Sequence, residues 1–295
     1  MDPHQLHVSL ARFGRQRLEP AFPGDRPLPD TTALARLEAA FLEEERLAAS
    51  RAAALAPSAP DAFVAWFEAL RENGPGQGDP LFSWLAEEAT LAQMRWFLAQ
   101  EVAGEAGFDD LVALTQVKMP VRAKLELARN YWDEMGRGRA AAMHGPLLGD
   151  LARALGVEAR PESTVWEALA LANLLVALAL DRRHAYQSVG ALGAIELTAP
   201  GRVALVDRGL ARLGVGKSAR RYFTLHATLD LRHSAAWNRE VLRTLVEEEP
   251  RAARAIAEGA LMRLQAGARC FERYRRELGL SGKPAEAAQP VPFAP

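Results

Sequence analysis

The chain has 295 residues, of which 49% are hydrophobic and 25% charged, and its formal net charge is −1. It is long enough to bury a sizeable core, and its charge balance excludes a bulk electrostatic attraction to nucleic acid or to an anionic membrane. Ala, Leu, Arg and Glu dominate while β-branched residues are few, which predicts an all-α protein.

One cysteine, Cys270, stands in a helical context, so no disulfide framework, cysteine zinc site or iron–sulfur cluster can form within the chain. The first residues carry no apolar leader segment, and the longest apolar run, Ala168 to Leu180, is too short to cross a bilayer. A cytoplasmic location is expected, with no membrane or nucleic-acid partner.

Residues 1–30 hold Pro3, Pro20, Pro23, Pro27 and Pro29 and read as an irregular lead-in. Thr31 or Thr32 can cap a helix to about Leu55, with Leu34, Leu37 and Phe41 at helical spacing. Pro57 and Pro60 stop it, and Asp61 starts another to about Asn73. Gly74 to Pro80 is a loop, and Leu81 to Glu105 reads as one helix with Glu101 near its end.

A short helix is predicted over Asp110–Val117, and another from Pro120 through Met135 carrying Asp133 and Glu134. Gly136 and Gly138 weaken it locally. A helical stretch with His144 follows, running to Leu155; Ser163 can cap the next, from Val165 to Asp181. After a break, Tyr186–Glu196 is helical, and Leu197 to Arg202 reads as a turn into a new helix capped by Thr198. Lys217–Glu248 and Arg251–Leu278 complete about ten helices, and Ser281 onward is Pro/Ala-rich and expected to be disordered. One domain over residues 31–281, with a tail over 282–295, accounts for the pattern.

The chemistry concentrates in Tyr222 to His233. Read as a helix, this stretch places His226, Asp230 and His233 at i, i+4 and i+7, within about 60° of one another around the axis. Leu225, Leu229 and Leu231 surround them. Unpaired imidazoles and a carboxylate in apolar surroundings cost several kcal/mol, a cost that a bound metal removes. His226 and His233 stand about 10 Å apart along the axis, too far for one ion but suited to two ions on either side of Asp230. A solvated stripe or a hydrogen-bonded trio is the plainer reading of the same three residues. The Glu-x-x-His pair of ferritin-like di-iron proteins is absent from the sequence.

Four segments occur in order: Phe97-Leu-Ala-Gln-Glu101, Asn130-Tyr-Trp-Asp-Glu-Met-Gly136, Gly190 through Glu196 to Gly201, and His226-x3-Asp230-x2-His233. At these residues the chain resembles the haem-oxygenase-like di-iron oxidases and oxygenases, also called iron-containing redox enzymes, over about Phe82 to Trp237. The resemblance implies a haem-oxygenase-like helical bundle that uses two Fe(II) ions per chain, with O2 as co-substrate. It implies Glu101, Glu134, Glu196, His226, Asp230 and His233 as the catalytic metal ligands. The chemistries it implies are desaturation, C–C cleavage, oxidative decarboxylation and N-oxygenation, here on a small amino acid or other amine-bearing carboxylate. An external electron donor and a homodimer are compatible with it.

The chain departs from the family pattern at one point. Many members carry a histidine three residues after the second-helix glutamate, where this chain has Arg137. The nearest imidazole is His144, about 15 Å farther along an unbroken helix; it either reaches the metal through a bend at the glycines or makes a structural hydrogen bond. Arg137 either holds a substrate carboxylate by a bidentate contact or sits on the surface. The departure leaves a second function open, a bundle of the same fold acting as a cofactorless oxidase or small-ligand-binding protein without iron chemistry. His4 and His7 lack periodic context, Asp181 to His184 reads as a solvated helix end, and no nucleophilic triad or phosphate loop stands out.

Overall fold

Thirteen α-helices and no strand occur among the described residues, which are 1–22 and 31–280 of the computed structural model, without the side chains of Thr228, Asp230 and Leu231. The order is α1 (Pro3–Leu18), α2 (Thr32–Ala53), α3 (Pro60–Asn73), α4 (Pro80–Glu87), α5 (Leu91–Gly104), α6 (Phe108–Thr115) and α7 (Val121–Glu134). Then come α8 (His144–Leu155), α9 (Trp166–Leu180), α10 (Ala185–Arg212), α11 (Arg221–Ala236), α12 (Arg243–Glu248) and α13 (Ala252–Glu277). A π-helical turn, Trp237–Leu242, joins α11 to α12 without a break. Residues 282–295, expected as a disordered tail, lie outside the described residues.

Three expectations need correction. The lead-in is not irregular throughout: Asp2 accepts a hydrogen bond from the Gln5 amide and caps α1, whose Leu10 and Phe13 are buried. Leu81–Glu105 is not one helix. Thr90 makes a full capping box with Gln93, and this local satisfaction of amides ends α4 and starts α5. The turn expected at 197–202 is helical. Pro200 lies inside α10, and the Thr198 hydroxyl, expected as a cap, instead donates back to the Ala194 carbonyl at 2.7 Å.

The bundle is built on α10, which packs against α4, α9, α11 and α13. Its close approach to α13 depends on two glycines. A Cβ on Gly190 would run into the Ile256 carbonyl, and one on Gly259 into the Gln187 carbonyl, so only hydrogen fits where the backbones cross. The 182–212 stretch is long and apolar enough to cross a membrane by length and composition, but 61% of its most apolar window is buried inside the bundle. It serves here as the core helix.

At the amino end, α1 lies on α9. The Asn173 amide donates to His7 Nδ1 at 3.3 Å and to the His7 carbonyl at 2.9 Å, and the imidazole stacks on Trp166 with ring centroids 5.7 Å apart. Burial and the charge of Arg269 push His7 down to about 4, so it is a neutral packing residue.

Candidate metal centre

Glu134 is the last residue of α7 and His144 the first of α8. On a straight helix they could not meet. The chain between them is not straight: Gly136, Arg137 and Gly138 all have positive φ, at 61°, 54° and 78°. The chain doubles back so tightly that a Cβ on Gly136 would stand 2.7 Å from both the Ala142 oxygen and the Met143 nitrogen. His144 Nδ1 thereby comes to 2.5 Å from Glu134 Oε2, both side chains being buried.

Across the cavity, α11 supplies His226 and His233, and α10 supplies Glu196. His226 Nδ1 lies 2.8 Å from the Tyr222 carbonyl oxygen. A carbonyl can only accept, so Nδ1 carries the hydrogen and Nε2 presents its lone pair. Its ring meets that of His144 edge to face, with centroids 4.4 Å apart. His233 Nδ1 lies 3.5 Å from Glu196 Oε1 and 3.9 Å from Glu134 Oε1, while its Nε2 lies 3.2 Å from Asp133 Oδ2. Asn130 donates to Glu196 Oε1 at 2.6 Å.

These side chains form two groups that share one member. Glu134, His144 and His226 each offer a ligand atom within 4.8 Å of the others, and so do Glu134, Glu196 and His233. Ligand bonds of about 2.0–2.2 Å around a single ion span about 4 Å, so each group matches one ion. The first is a two-histidine, one-carboxylate set of the kind that suits Fe(II) with open positions. With Glu134 common to both, the arrangement fits a two-metal centre.

The electrostatics fit the same occupant. Burial, reinforced by the charge of Glu196, pushes the Glu134 carboxyl well above the usual range. Burial pushes His144 and His226 down to about 4, leaving neutral ligands. Burial would lower His233 too, but the nearby Glu196 carboxylate, with Asp133 and Glu134, holds it up to about 9; a proton there stands in for a metal. His144 Nδ1 and His233 Nδ1 are buried without a properly aligned hydrogen bond despite their carboxylate neighbours. That is how ligands converging on an ion, rather than on each other, are disposed.

The structure thus brings together Glu134, Glu196, His226 and His233, as the sequence suggested, and adds His144 through the glycine turn. The Asp230 side chain lies outside the described residues. Glu101 joins neither group. It lines the cavity, but its carboxylate accepts from the Tyr274 hydroxyl at 3.0 Å. Arg137 does not line the cavity: its side chain is 63% exposed and its Nε donates to Asp133 Oδ1 at 2.7 Å. It is no substrate anchor; it braces the aspartate that orients His233.

Sequence reasoning missed Asp133 and Glu105. Asp133 sits beside Glu134 and, despite burial, its hydrogen bonds to Arg137 and His233 hold its carboxyl below the usual range. Its signal was adjacency to a ligand. Glu105, one turn beyond Glu101, also lines the cavity. Glu101, Glu105, Glu134, His144, Glu196 and His226 line a cavity of about 210 Å³, walled by Phe82, Phe97, Leu175, Ile195 and Phe271. That volume, below the roughly 300 Å³ at which drug-sized sites begin, suits a small substrate.

Comparison with known proteins agrees with this geometry. The profile of the family described as iron-containing redox enzyme matches residues 95–268. Among solved structures, the chain is similar to a CADD-like protein of unknown function from Nostoc punctiforme, at 19% identity and a TM-score of 0.56, over 76% of this chain and 97% of that one. It is also similar to a domain of unknown function with a heme oxygenase-like fold from Shewanella denitrificans, at 13% identity and a TM-score of 0.50, over 88% of this chain and 98% of that one. These likenesses bear on the fold. No curated protein matches the chain.

Proposed function

The chain belongs to the iron-containing redox enzymes, and we propose that within that family it is an O2-dependent oxidase or oxygenase with two Fe(II) ions per chain. The observation that carries this reading is the sharing of Glu134 between two ligand groups, one of which holds two neutral imidazoles. Glu134, His144 and His226 would hold one iron, and Glu134, Glu196 and His233 the other. When bound, the pair would supply the electrons and open positions that activate O2 toward a nearby C–H or N–H bond.

The protein's own residues set the conditions. The Tyr222 carbonyl and Asp133 favour the tautomers of the two α11 imidazoles that leave one nitrogen free, that of His233 directed toward Glu134 and Glu196. Asn130 holds Glu196 in place. The substrate we propose is a small carboxylate of the amine-bearing class that the resemblance implies. The alternative without iron chemistry drew its support from Arg137 in a ligand place, and His144 supplies the imidazole that Arg137 does not.

Anaerobic Fe(II) titration followed by O2 exposure tests the proposal. The expected result is saturation at two irons per chain and an O2-dependent absorbance transient. Failure to bind iron, together with no transient, overturns it.

A further inference from the structure

The cavity does not end at Glu134. It continues to a second set of polar side chains: Glu101 on α5, Arg202 on α10, and Arg263 and Tyr274 on α13. Arg202 stands six residues after Glu196, about 9 Å along the helix axis, so this set lies apart from the metal ligands. Arg202 Nη2 donates to Thr198 Oγ1 at 3.0 Å, and its guanidinium carbon lies 5.4 Å from the Phe271 ring centroid. Arg263 lies over the bare Cα of Gly267, where a Cβ would stand 2.5 Å from its Nη1.

Neither guanidinium is directly paired. Arg202 Nη1 and Arg263 Nε are shielded from solvent and have no hydrogen-bond partner. Among the described residues neither guanidinium has a carboxylate within 4.0 Å, though a dozen and more arginines elsewhere on the chain do. Glu101 is the nearby acid felt by both, and it is engaged by Tyr274. Of the other neighbouring carboxylates, Asp79 pairs with Arg275 and accepts from the Leu81 amide at 2.9 Å, and Glu105 accepts from the Phe108 amide at 3.1 Å. Burial and the charge of Arg263 push Arg202 down to about 9, as befits a buried cation with no carboxylate in direct contact. Cys270 and Tyr274, raised by burial, add no negative charge.

We propose that Arg202 and Arg263 form the anion-recognition end of the substrate site: they hold the carboxylate of a small monocarboxylate whose body lies along Phe82, Phe97 and Phe271 with the carbon to be oxidised facing Glu134. One incoming carboxylate gives both guanidinium groups a direct partner and satisfies the orphaned nitrogens together, in a desolvated setting where such pairs are strongest. The proposal deepens the iron-enzyme reading and takes its orientation from it, but the recognition step itself needs no metal.

The test is calorimetric binding, without O2 so that no turnover occurs, to the Fe(II)-loaded protein and in parallel to the metal-free protein. The probes are short- and medium-chain linear carboxylates, phenylalkanoates and their α-amino counterparts, each paired with its uncharged primary amide. At least one acid is expected to bind about tenfold or more tightly than its amide, with or without iron. Arg202→Gln and Arg263→Gln are expected each to erase that preference, while the surface variant Arg12→Gln keeps it; melting curves and iron content check that the variants are folded and loaded. The acid–amide comparison on the wild-type protein needs no variant. Equal binding of acid and amide, no acid binding at millimolar concentration, or an acid preference that survives both arginine variants would each overturn the proposal. So would a preference that vanishes when iron is withheld, because the carboxylate would then be a metal ligand. Arginine-dependent acid binding by a protein that takes up no iron would sustain this proposal and defeat the di-iron reading.

Discussion

Replacing Glu134 with glutamine should make the protein more stable without iron and less stable with it. In the metal-free state Glu134 and Glu196 are two carboxylates sharing one buried site, both within 4 Å of His233 Nδ1. Burial and the neighbouring Glu196 charge disfavour the Glu134 carboxylate, each pKa unit of such a penalty being worth about 1.4 kcal/mol, and Glu134→Gln keeps the shape while removing that cost. For a chain of this size each kcal/mol moves Tm by about 2–4 °C, so the metal-free variant should melt several degrees higher. In the loaded state the sign reverses. Free Fe(II) at about 100 times Kd stabilises by about 2.7 kcal/mol per site, so two filled sites add roughly 5 kcal/mol and raise Tm by about 10–20 °C. Since Glu134 is the member common to both groups, its loss should empty both, whereas His226→Ala or His233→Ala should each empty one. Anaerobic calorimetric melts with and without Fe(II), with iron counted by colorimetric chelation, decide the matter. A Glu134→Gln protein that keeps one iron would show that the carboxylate is not shared, and one that keeps both would show that it is not a ligand.

Asp133→Asn should leave the fold intact and weaken iron retention by about 10–100-fold, because His233 loses the carboxylate that orients it; competition with a calibrated chelator measures this. Gly136→Ala places a methyl at positive φ against the returning Ala142–Met143 backbone, so it should cost about 1–2 kcal/mol or more and release the iron held by His144, read as one iron fewer per chain. His7, held down to about 4 in the folded protein, must be neutral to keep its bond from Asn173. Its contribution is complete above pH about 6.5 and is lost as pH falls toward about 4, roughly 3 kcal/mol in all. In urea titrations across that window His7→Gln should therefore show a shallower acid decline than wild type, and parallel curves would refute the assignment. Gly190→Ala should destabilise by about 3 kcal/mol or more, because the methyl meets the Ile256 carbonyl and not a movable side chain; an unchanged urea midpoint would show that the two helices can part.

Much of the centre was readable before any coordinates. His226 and His233 announce themselves by periodicity on one helix, where residue number converts directly into direction, whereas Glu196 was named through the family resemblance. His144 was ambiguous because the arithmetic of a straight helix put it out of reach. What brings it in is a run of three residues with positive φ, and that Arg137 should join the two glycines there has no signature in residue type. Glu101 was assigned to the metal by the family resemblance alone; its hydrogen-bond partner, Tyr274, is far away in sequence and on a helix that carried no suspicion of function. The same holds for Arg202 and Arg263, unremarkable among many arginines until the fold strips them of counter-ions. Helix boundaries failed where a short-range hydrogen bond outvoted the hydrophobic pattern, at Thr90, and where Pro200 was absorbed into α10 and not used as a start.

The glycine contact between α10 and α13 acts as a ruler. Glu196 and Arg202 ride on one of the fused helices and Arg263 on the other, four residues past Gly259. Backbone pressed on backbone cannot slide without breaking the core, so the gap between the proposed carboxylate-binding end of the cavity and the proposed metal centre is set by main-chain geometry. Side-chain changes along the wall could widen or narrow the bore, but chain length in the molecule being oxidised would be measured against a fixed scale.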